Sequence, residues 1–281
     1  MNKKLVALLL LLPFTVFWLA FQFAPLLWIA INSFWSDTNE RWGWDNYSDI
    51  LTSAFYQQAF GLSWDISFWS SVYGLLIALF CGYSLHQLGS GRLQRFMMSF
   101  TNMTSNFAGV PLAFAFIILL GLNGCLTLLL KHYGVMQGFR LFSRDGMVLV
   151  YTWFQIPLGV LLLYPAFDGL KRDWQESAAL LGASRARYWW HIGLPILFPA
   201  LLGTFVILLA NALGAYATIY ALTTGNFNVV PVRIAALVSG DISLDPNTGG
   251  ALAMLLVLLM AFITLVQQYL MRRSYLNARP S

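Results

Sequence analysis

The chain alternates between long apolar runs and shorter polar segments. Uncharged runs of about 20 residues, the length that a helix needs to cross a hydrocarbon core of roughly 30 Å, occur six times along the sequence. They cover approximately residues 5–31, 66–85, 99–122, 147–167, 192–213 and 248–270. This pattern predicts an all-α, polytopic membrane protein with six transmembrane helices.

The composition supports the membrane class. Apolar residues make up 59% of the chain and charged residues only 10%, whereas soluble domains carry about 25% charged residues. The net charge of +5 does not indicate a nucleic-acid partner, because the basic residues border apolar runs instead of clustering on a polar face. The first run follows Lys3 and Lys4, exceeds a signal-peptide core and lacks a small-residue cleavage site, so we expect a retained helix.

Lysine and arginine are distributed unequally between the two sides of the predicted bundle. Eleven of the 16 lie at the two termini and in the second-to-third and fourth-to-fifth connections, and five lie on the other side. The positive-inside rule therefore places both termini in the cytoplasm. We expect three regions: a first helix with a Trp-rich outer loop (1–61), a five-helix core (62–270) and a cytoplasmic tail (271–281).

The predicted outer connections carry structure of their own. Residues 33–61 are rich in Trp and Tyr, which is typical of a loop lying at the membrane rim. The stretch that begins at Cys125 is too short to cross a membrane and predicts an interfacial or packed helix. Pro231 suits the first turn of another short helix.

Residues 168–191 form the longest charged connection on the predicted cytoplasmic side. Good helix formers follow Asp173, and acidic side chains near a helix start interact favourably with the helix dipole. Gly182 can adopt the left-handed conformation that ends a helix, and a second helix is expected from about Ser184. A face of small side chains on the first helix would let another protein approach closely, although an ordinary amphipathic connector would show the same periodicity.

The same connection resembles the EAA signature of permease subunits of binding-protein-dependent ABC importers. That signature reads Glu-Ala-Ala, three residues, Gly, nine residues and Ile-x-Leu-Pro. The matching residues are Glu176, Ser177, Ala178, Gly182, Ile192, Leu194 and Pro195. Ser177 replaces the usual second Ala, and Leu181 stands where many relatives carry Asp. The motif covers residues 176–195, and the similarity in hydropathy extends over about residues 62–270.

The resemblance implies the type I importer fold and a multi-pass protein of a bacterial inner membrane. It implies that residues 173–184, with Ala179 beside the triplet, form a coupling helix that inserts into a cleft on an ATP-binding subunit. The expected partners are two ATP-binding subunits, a solute-binding protein outside the membrane and a second permease subunit. We expect that second subunit to be a different chain, with a homodimer left open. ATP would be bound by the partner, and no cofactor is expected in this chain.

Nothing in the sequence indicates an enzyme. None of the four lysines follows a glycine, so the chain has no phosphate-binding loop of the Gly-x-x-x-x-Gly-Lys type. The three histidines, two cysteines and few carboxylates show no catalytic or metal-ligand spacing. An ion-coupled secondary transporter is the alternative, but such carriers usually need ionisable groups inside the membrane, and the interiors of the predicted spans hold none.

Polar side chains within or beside the spans are candidates for the solute pathway: Asn102, Asn106, Gln155, Asn211 and Tyr216. The first two are four residues apart and share a helix face. Alternatively, such groups hydrogen-bond between membrane helices and contribute about 0.6–2 kcal/mol each. Residues 214–256 are similar to permeases of the polyamine, opine and phosphonate group. We therefore expect a small polar solute, such as a polyamine, an aminophosphonate or thiamine, ahead of a sugar.

Overall fold

The structure is a computed structural model that describes residues 3–37, 39–89, 91–134, 139–241 and 244–277. Helices account for most of these residues. In chain order the elements are α1 Lys3–Trp18, a π-helical turn Leu19–Phe23, α2 Ala24–Asn32, β1 Trp35–Ser36, β2 Arg41–Trp42, α3 Asp45–Thr52, α4 Ala54–Gln87, α5 Arg92–Ser105, α6 Val110–Leu120, α7 Cys125–His132, α8 Arg144–Phe167, α9 Arg172–Leu180, α10 Arg185–Tyr188, a π-helical turn Trp189–Gly193, α11 Leu194–Leu213, α12 Tyr216–Thr223, α13 Val230–Ser239 and α14 Pro246–Asn277.

Six helical stretches of the described residues are long and apolar enough to cross a membrane: Leu11–Asn32, Ala54–Gln87, Val110–His132, Arg144–Phe167, Arg185–Leu213 and Pro246–Arg272. Five of them coincide with predicted spans, and the six-helix, all-α prediction is confirmed. Within the described ranges, β-structure is limited to one antiparallel hairpin that pairs Trp35 with Trp42. Pro231 lies in the first turn of α13, as predicted. Of the predicted tail, residues 278–281 lie outside the described part.

The predicted third span, 99–122, is wrong. α5 ends at Ser105, and the next helix, α6, begins only at Val110. Gly109 has a φ of +72°, which L-residues rarely adopt, and Pro111 lacks an N–H and fits the first turn of α6. The crossing stretch therefore includes α7, in place of the interfacial or packed helix that its short length predicts. A hydropathy window overlooks this break because apolar residues flank it.

The chain divides into two compact units. The first combines residues 1–60 with residues 228–259, and its core contains Tyr47, Ile50, Leu237, Ala251 and Leu252. The segment predicted as a rim loop folds here into the hairpin and α3. Asn46 fixes the turn, because its Nδ2 donates to the carbonyls of Ser33 at 3.0 Å and Trp35 at 2.8 Å.

In the second unit, residues 61–227 and 260–281, α4 and α8 pack in parallel through small residues. A Cβ added to Gly74 would lie 3.0 Å from Gln155 Cβ, and one added to Gly159 would lie 2.8 Å from Ala78 Cβ. Small residues allow this close approach of helix backbones. We call this contact the α4–α8 seam; its residues are Ser70, Ser71, Gly74, Ala78 and Gly82 of α4 and Gln155, Gly159 and Phe167 of α8.

Candidate functional site

The EAA-like triplet lies on α9, within what we call the coupling segment, residues 168–195. α9 ends in a pair of backbone hydrogen bonds: Gly182 N–H donates to the Ala179 carbonyl at 3.0 Å, and Ala183 N–H donates to the Ala178 carbonyl at 2.9 Å. With Gly182 at φ +78°, this is the Schellman cap of a helix. The predicted left-handed glycine is confirmed. The three residues between the triplet and the glycine, residues 179–181, therefore form the end of α9 and its C-cap.

Most of the motif faces outward. Glu176, Ser177, Ala179 and Gly182 are exposed, whereas Ala178 is 7% exposed. No feature of the sequence singles out the neighbouring pair Leu180 and Leu181. These side chains are 89% and 88% exposed, more than any other large apolar side chain of the described part of the chain. Apolar groups gain free energy when they leave water, so the tip of α9 is suited to contact a partner.

A groove separates α9 from the helix that follows it. Its volume is about 390 Å³, and its lining includes Trp174, Ala178, Leu181, Tyr188 and Ile192. Ser184 caps the second helix, because its Oγ accepts a hydrogen bond from Arg187 N–H at 3.3 Å. The helix start predicted near Ser184 is therefore confirmed.

The Ile-x-Leu-Pro part of the motif marks the entry of the coupling segment into the fifth span. Ile192 and Leu194 are half-buried, and Pro195 is exposed in the first turn of α11. Gly193 is buried beside the indole of Trp189, and a Cβ there would lie 2.6 Å from the ring. Glycine at the variable position of the motif therefore lets the backbone lie directly against this ring, a contact that the motif itself does not specify.

Two helix breaks meet near several of the predicted pathway residues. The first separates α5 from α6, and the second separates α11 from α12. Gly109 N–H in the first break donates to Thr218 Oγ1 on α12 at 3.0 Å, and Tyr151 Oη donates to the Ala215 carbonyl in the second break at 2.7 Å. Asn106 follows α5 at the first break, and Tyr216 is the first residue of α12.

The other pathway candidates lie in different environments. Asn102 is exposed on α5, and its carbonyl accepts from Asn106 Nδ2 at 2.9 Å, so the predicted shared face is present. Asn211 is exposed on α11, and Tyr216 is half-buried against Tyr220, with ring centroids 5.1 Å apart.

Gln155 differs from these residues because its side chain is 0% exposed. Its Nε2 donates to Ser70 Oγ at 2.7 Å, and its Oε1 accepts from Ser71 Oγ at 3.1 Å. These bonds hold α4 against α8, in keeping with the alternative of hydrogen bonding between membrane helices.

Charged groups pair at the start of the seam. Arg144 donates to both oxygens of Asp65, with Nη2 at 2.9 Å from Oδ1, and Nη1 donates to Asp145 Oδ1 at 2.9 Å. Among the described residues, no three histidine, cysteine, aspartate or glutamate side chains lie close enough together to hold a metal ion.

Comparison with known proteins places this geometry in a family. The family described as "Binding-protein-dependent transport system inner membrane component" matches residues 74–275. The sn-glycerol-3-phosphate transport system permease protein UgpA of Shigella flexneri is 26% identical over 267 residues, which is 90% of this chain and 88% of the relative. The molybdenum transport system permease protein ModB of Mycobacterium tuberculosis is 25% identical over 247 residues, 88% of each chain.

Solved structures show the same fold. A chain of a bacterial ABC transporter involved in the import of the acidic polysaccharide alginate superposes with a TM-score of 0.77 and 17% identity, covering 97% of this chain and 96% of that one. A chain of the MetNI methionine ABC transporter in an inward-facing conformation gives 0.59 and 16% identity, covering 77% and 94%. This chain thus belongs to the inner membrane components of binding-protein-dependent transport systems, and it is a multi-pass inner-membrane permease subunit of an ABC importer rather than an enzyme.

Proposed function

We propose that this chain forms half of the translocation pathway for a small polar solute and is coupled to ATP hydrolysis through α9. Two ATP-binding subunits, a second permease subunit of different sequence and a solute-binding protein would complete the importer. The observation that carries the proposal is the Schellman-capped α9, which exposes Glu176, Ser177 and Ala179 beside the leucine pair at its tip.

The coupling role rests on exposure and rigidity together. Burial of one leucine side chain contributes about 1.5–3 kcal/mol, so Leu180 and Leu181 would add substantially to binding if a cleft on the ATP-binding subunit covered them. The cap at Gly182 fixes the direction in which the pair points. A helix that is bound tightly and capped rigidly can deliver the movement of its partner to the spans.

The pathway role rests on the two helix breaks. The first break directly precedes the crossing stretch that begins at Val110, and the second directly follows the one that ends at Leu213. Non-helical backbone in a membrane protein is tolerated where it is buried in protein or lines a water-filled cavity, and transporters bind solutes at helix interruptions. Asn102, Asn106, Asn211 and Tyr216 are the residues we propose to contact solute, with Asn106 and Tyr216 bordering the breaks. The burial of Gln155 in the seam favours a packing role for that residue instead.

Relatives suggest the chemistry of the solute. The names of similar permeases refer to sn-glycerol-3-phosphate, diacetylchitobiose and molybdenum, and one similar structure belongs to an importer of an acidic polysaccharide. These names favour a sugar, a glycerol phosphate or an oxyanion, and they reverse the expectation that ranked polyamines above sugars. The amide and phenol groups of the proposed pathway can hydrogen-bond to hydroxyl groups and oxyanions alike.

Affinity purification in mild detergent tests the proposal. We expect wild-type chain from its native membrane to retain an ATPase with a phosphate-binding loop, identified by mass spectrometry. Gly182→Val should lose that subunit, because a β-branched residue at φ +78° is strongly disfavoured. Gly89→Val is the matched control: Gly89 also has a positive φ, +62°, and open space around it, but lies outside the coupling segment.

The alternative of an ion-coupled carrier makes the opposite prediction. Purified wild-type chain, alone in liposomes, would then accumulate solute under an ion gradient. Recovery of a stable lone chain without an ATPase, or equal ATPase recovery from wild type and Gly182→Val, would count against coupling through α9.

A further inference from the structure

We propose that Tyr83 is a positioning residue for the coupling segment. Its side chain joins both ends of the segment to the last turns of α4. This inference rests on the proposed coupling role of α9. It concerns how a displacement of α9 reaches the membrane-spanning helices, and its basis is a set of aromatic contacts within the second unit.

The chain enters the coupling segment through Phe167, which packs tightly on α4. Phe167 is 0% exposed, and a Cβ added to Gly82 would lie 2.9 Å from its ring. The Phe167 ring centroid lies 6.0 Å from that of Tyr83 and 6.0 Å from that of His86, with which it stacks. The end of α8 thus packs so closely on α4 that a methyl group on Gly82 would collide with the Phe167 ring.

Near the other end of the coupling segment, Trp189 contacts the same turn of α4. The indole of Trp189 meets the ring of Tyr83 edge to face, with centroids 4.9 Å apart. Edge-to-face pairs at this distance are favourable beyond their burial alone. Tyr83 therefore lies between the entry and the exit of the coupling segment and touches both.

The space between α4 and the coupling segment is nearly closed. The remaining cavity measures only about 60 Å³ and is bounded by Tyr83 and His86 on one side and by Lys171, Gln175 and Tyr188 on the other. That volume accommodates a few water molecules at most. Because so little free space separates them, a displacement of α9 toward α4 would move α4 as well.

α4 can carry such a displacement along its length because it is a continuous helix that packs against α8. It is unbroken from Ala54 to Gln87, and the seam fixes it to α8 at Gly74, Ala78 and Gly82. Without the ring of Tyr83, the exit of the coupling segment would lose its edge-to-face contact with α4. A displacement of α9 would then still move α8 through Phe167, but the turn that leads into α11 would move without moving α4.

The test uses a native cysteine on α4. Cys81 is exposed and adjacent to Gly82, and replacing the other exposed cysteine by Cys125→Ser leaves Cys81 for an environment-sensitive fluorophore. The labelled chain is purified with its ATP-binding subunits, and its emission is recorded before and after Mg·ATP with vanadate. We expect ATP to shift the emission. Tyr83→Ala removes the contacts with both Phe167 and Trp189 and should reduce that shift at least about twofold, the smallest effect expected from losing one aromatic pair, without reducing recovery of the ATP-binding subunits.

Three variants separate positioning from general disruption. Tyr83→Phe keeps the ring and should respond as wild type. Tyr73→Ala removes a tyrosine from the same helix that lies outside these contacts and should also respond fully. Tyr83→Ala combined with Trp189→Phe should lose no more of the response than Tyr83→Ala alone, because the contact between residues 83 and 189 is already absent and an aromatic ring remains beside Tyr188 and Gly193.

Several outcomes would overturn the proposal. They are an unshifted emission in wild type, a full shift in Tyr83→Ala, or an equal loss in Tyr83→Phe or Tyr73→Ala. If Tyr83→Ala fails to accumulate, Tyr83→Leu, which keeps apolar volume without the edge-to-face geometry, decides by the same readout. Failure of the proposed function shows earlier and separately, because wild-type chain would then recover no ATP-binding subunit, and the inference would fall with it.

Discussion

Both α9 and the α4–α8 seam contain glycine and alanine at helical spacing, but these residues are exposed in α9 and tightly packed in the seam. A Cβ added to Gly182 at the end of α9 would meet nothing within 4 Å, whereas one added to Gly159 in the seam would lie 2.8 Å from Ala78 Cβ. Ala179 is exposed, and Ala78 is fully buried. Small residues at helical spacing therefore predict a close approach, but they do not indicate whether the approaching surface is in the same chain.

Glu176→Lys should give the largest effect on the exposed side of this comparison. We expect it to abolish import while leaving membrane insertion and thermal stability unchanged, because Glu176 is exposed and lies in the triplet. The measurement is uptake of the solute that the co-purified binding protein carries. Asp173→Lys makes the same charge change one turn earlier on α9, outside the triplet, and should reduce import less than Glu176→Lys does. Equal loss in both variants would attribute the effect to charge alone and not to the motif.

Gly159→Ala should give the next largest effect, on the buried side. The added methyl would collide with Ala78, and overpacking of this kind costs about 1–3 kcal/mol. The measurement is thermal unfolding in detergent. Gly61→Ala on α4 is the control, because open space surrounds Gly61 and alanine favours helix by about 1 kcal/mol. If Ala78→Gly does not restore stability to Gly159→Ala, the seam as described is wrong.

Local chemistry explains which features the sequence predicts well. The helix of the coupling segment, its left-handed Gly182 and the helix start at Ser184 depend on residues within one or two turns, so the sequence predicts all three. The number of apolar spans, and the positions of five of the six, follow from their length in the same way.

The features that the sequence predicts poorly depend on distant residues. The break before α6 is held by Thr218, which lies 109 residues beyond Gly109, and no hydropathy window contains both. Gln155 was a pathway candidate because it is polar and within a span, but its partner Ser71 lies 84 residues away and buries it in the seam. The leucine pair at the tip of α9 resembles an ordinary helix end until its exposure is known.

Leu180→Ser tests whether the exposed tip of α9, unlike the buried seam, is covered by a partner subunit. The side chain is 89% exposed, so the stability of the chain should not change. If a partner covers Leu180, the affinity for the ATP-binding subunit should fall about tenfold, which corresponds to roughly 1.4 kcal/mol of lost apolar burial. Titration of detergent-solubilised chain with purified ATP-binding subunit measures this change. Unaltered affinity would remove Leu180 from the docking surface.

Gln155→Leu tests the polar part of the seam. Leucine approximates the volume of glutamine but makes no hydrogen bonds to Ser70 and Ser71, and such bonds between membrane helices contribute about 0.6–2 kcal/mol. We expect a loss of about 1 kcal/mol on that basis, with import per folded molecule unchanged. Asn106→Leu, at the first helix break, should instead lower import and leave stability nearly constant. The reverse pattern would return Gln155 to the solute pathway.

The smallest effect is expected at an exposed polar contact, the counterpart of the buried hydrogen bonds in the seam. Arg41 donates to both carboxylate oxygens of Asp45, at 2.8 and 3.0 Å, and Asn39 adds a third bond at 3.0 Å. Hydrogen bonds from Arg41 and then Asn39 lower the pKa of Asp45 from its ordinary value. Because exposed ion pairs are screened by solvent, the contribution to stability is small even when fully present.

The sign of its pH dependence follows from the lowered pKa. The folded chain holds a proton on Asp45 less tightly than the unfolded chain does, so the stabilisation is present above the unfolded pKa of about 3.9. It is lost as the pH falls through the lower, folded pKa. Asp45→Asn should therefore reduce the unfolding temperature slightly at pH 6, and the difference from wild type should shrink as the pH falls below about 4 and vanish only below the folded pKa of Asp45. A difference that grows as the pH falls would show that Arg41 does not stabilise the charged form of Asp45.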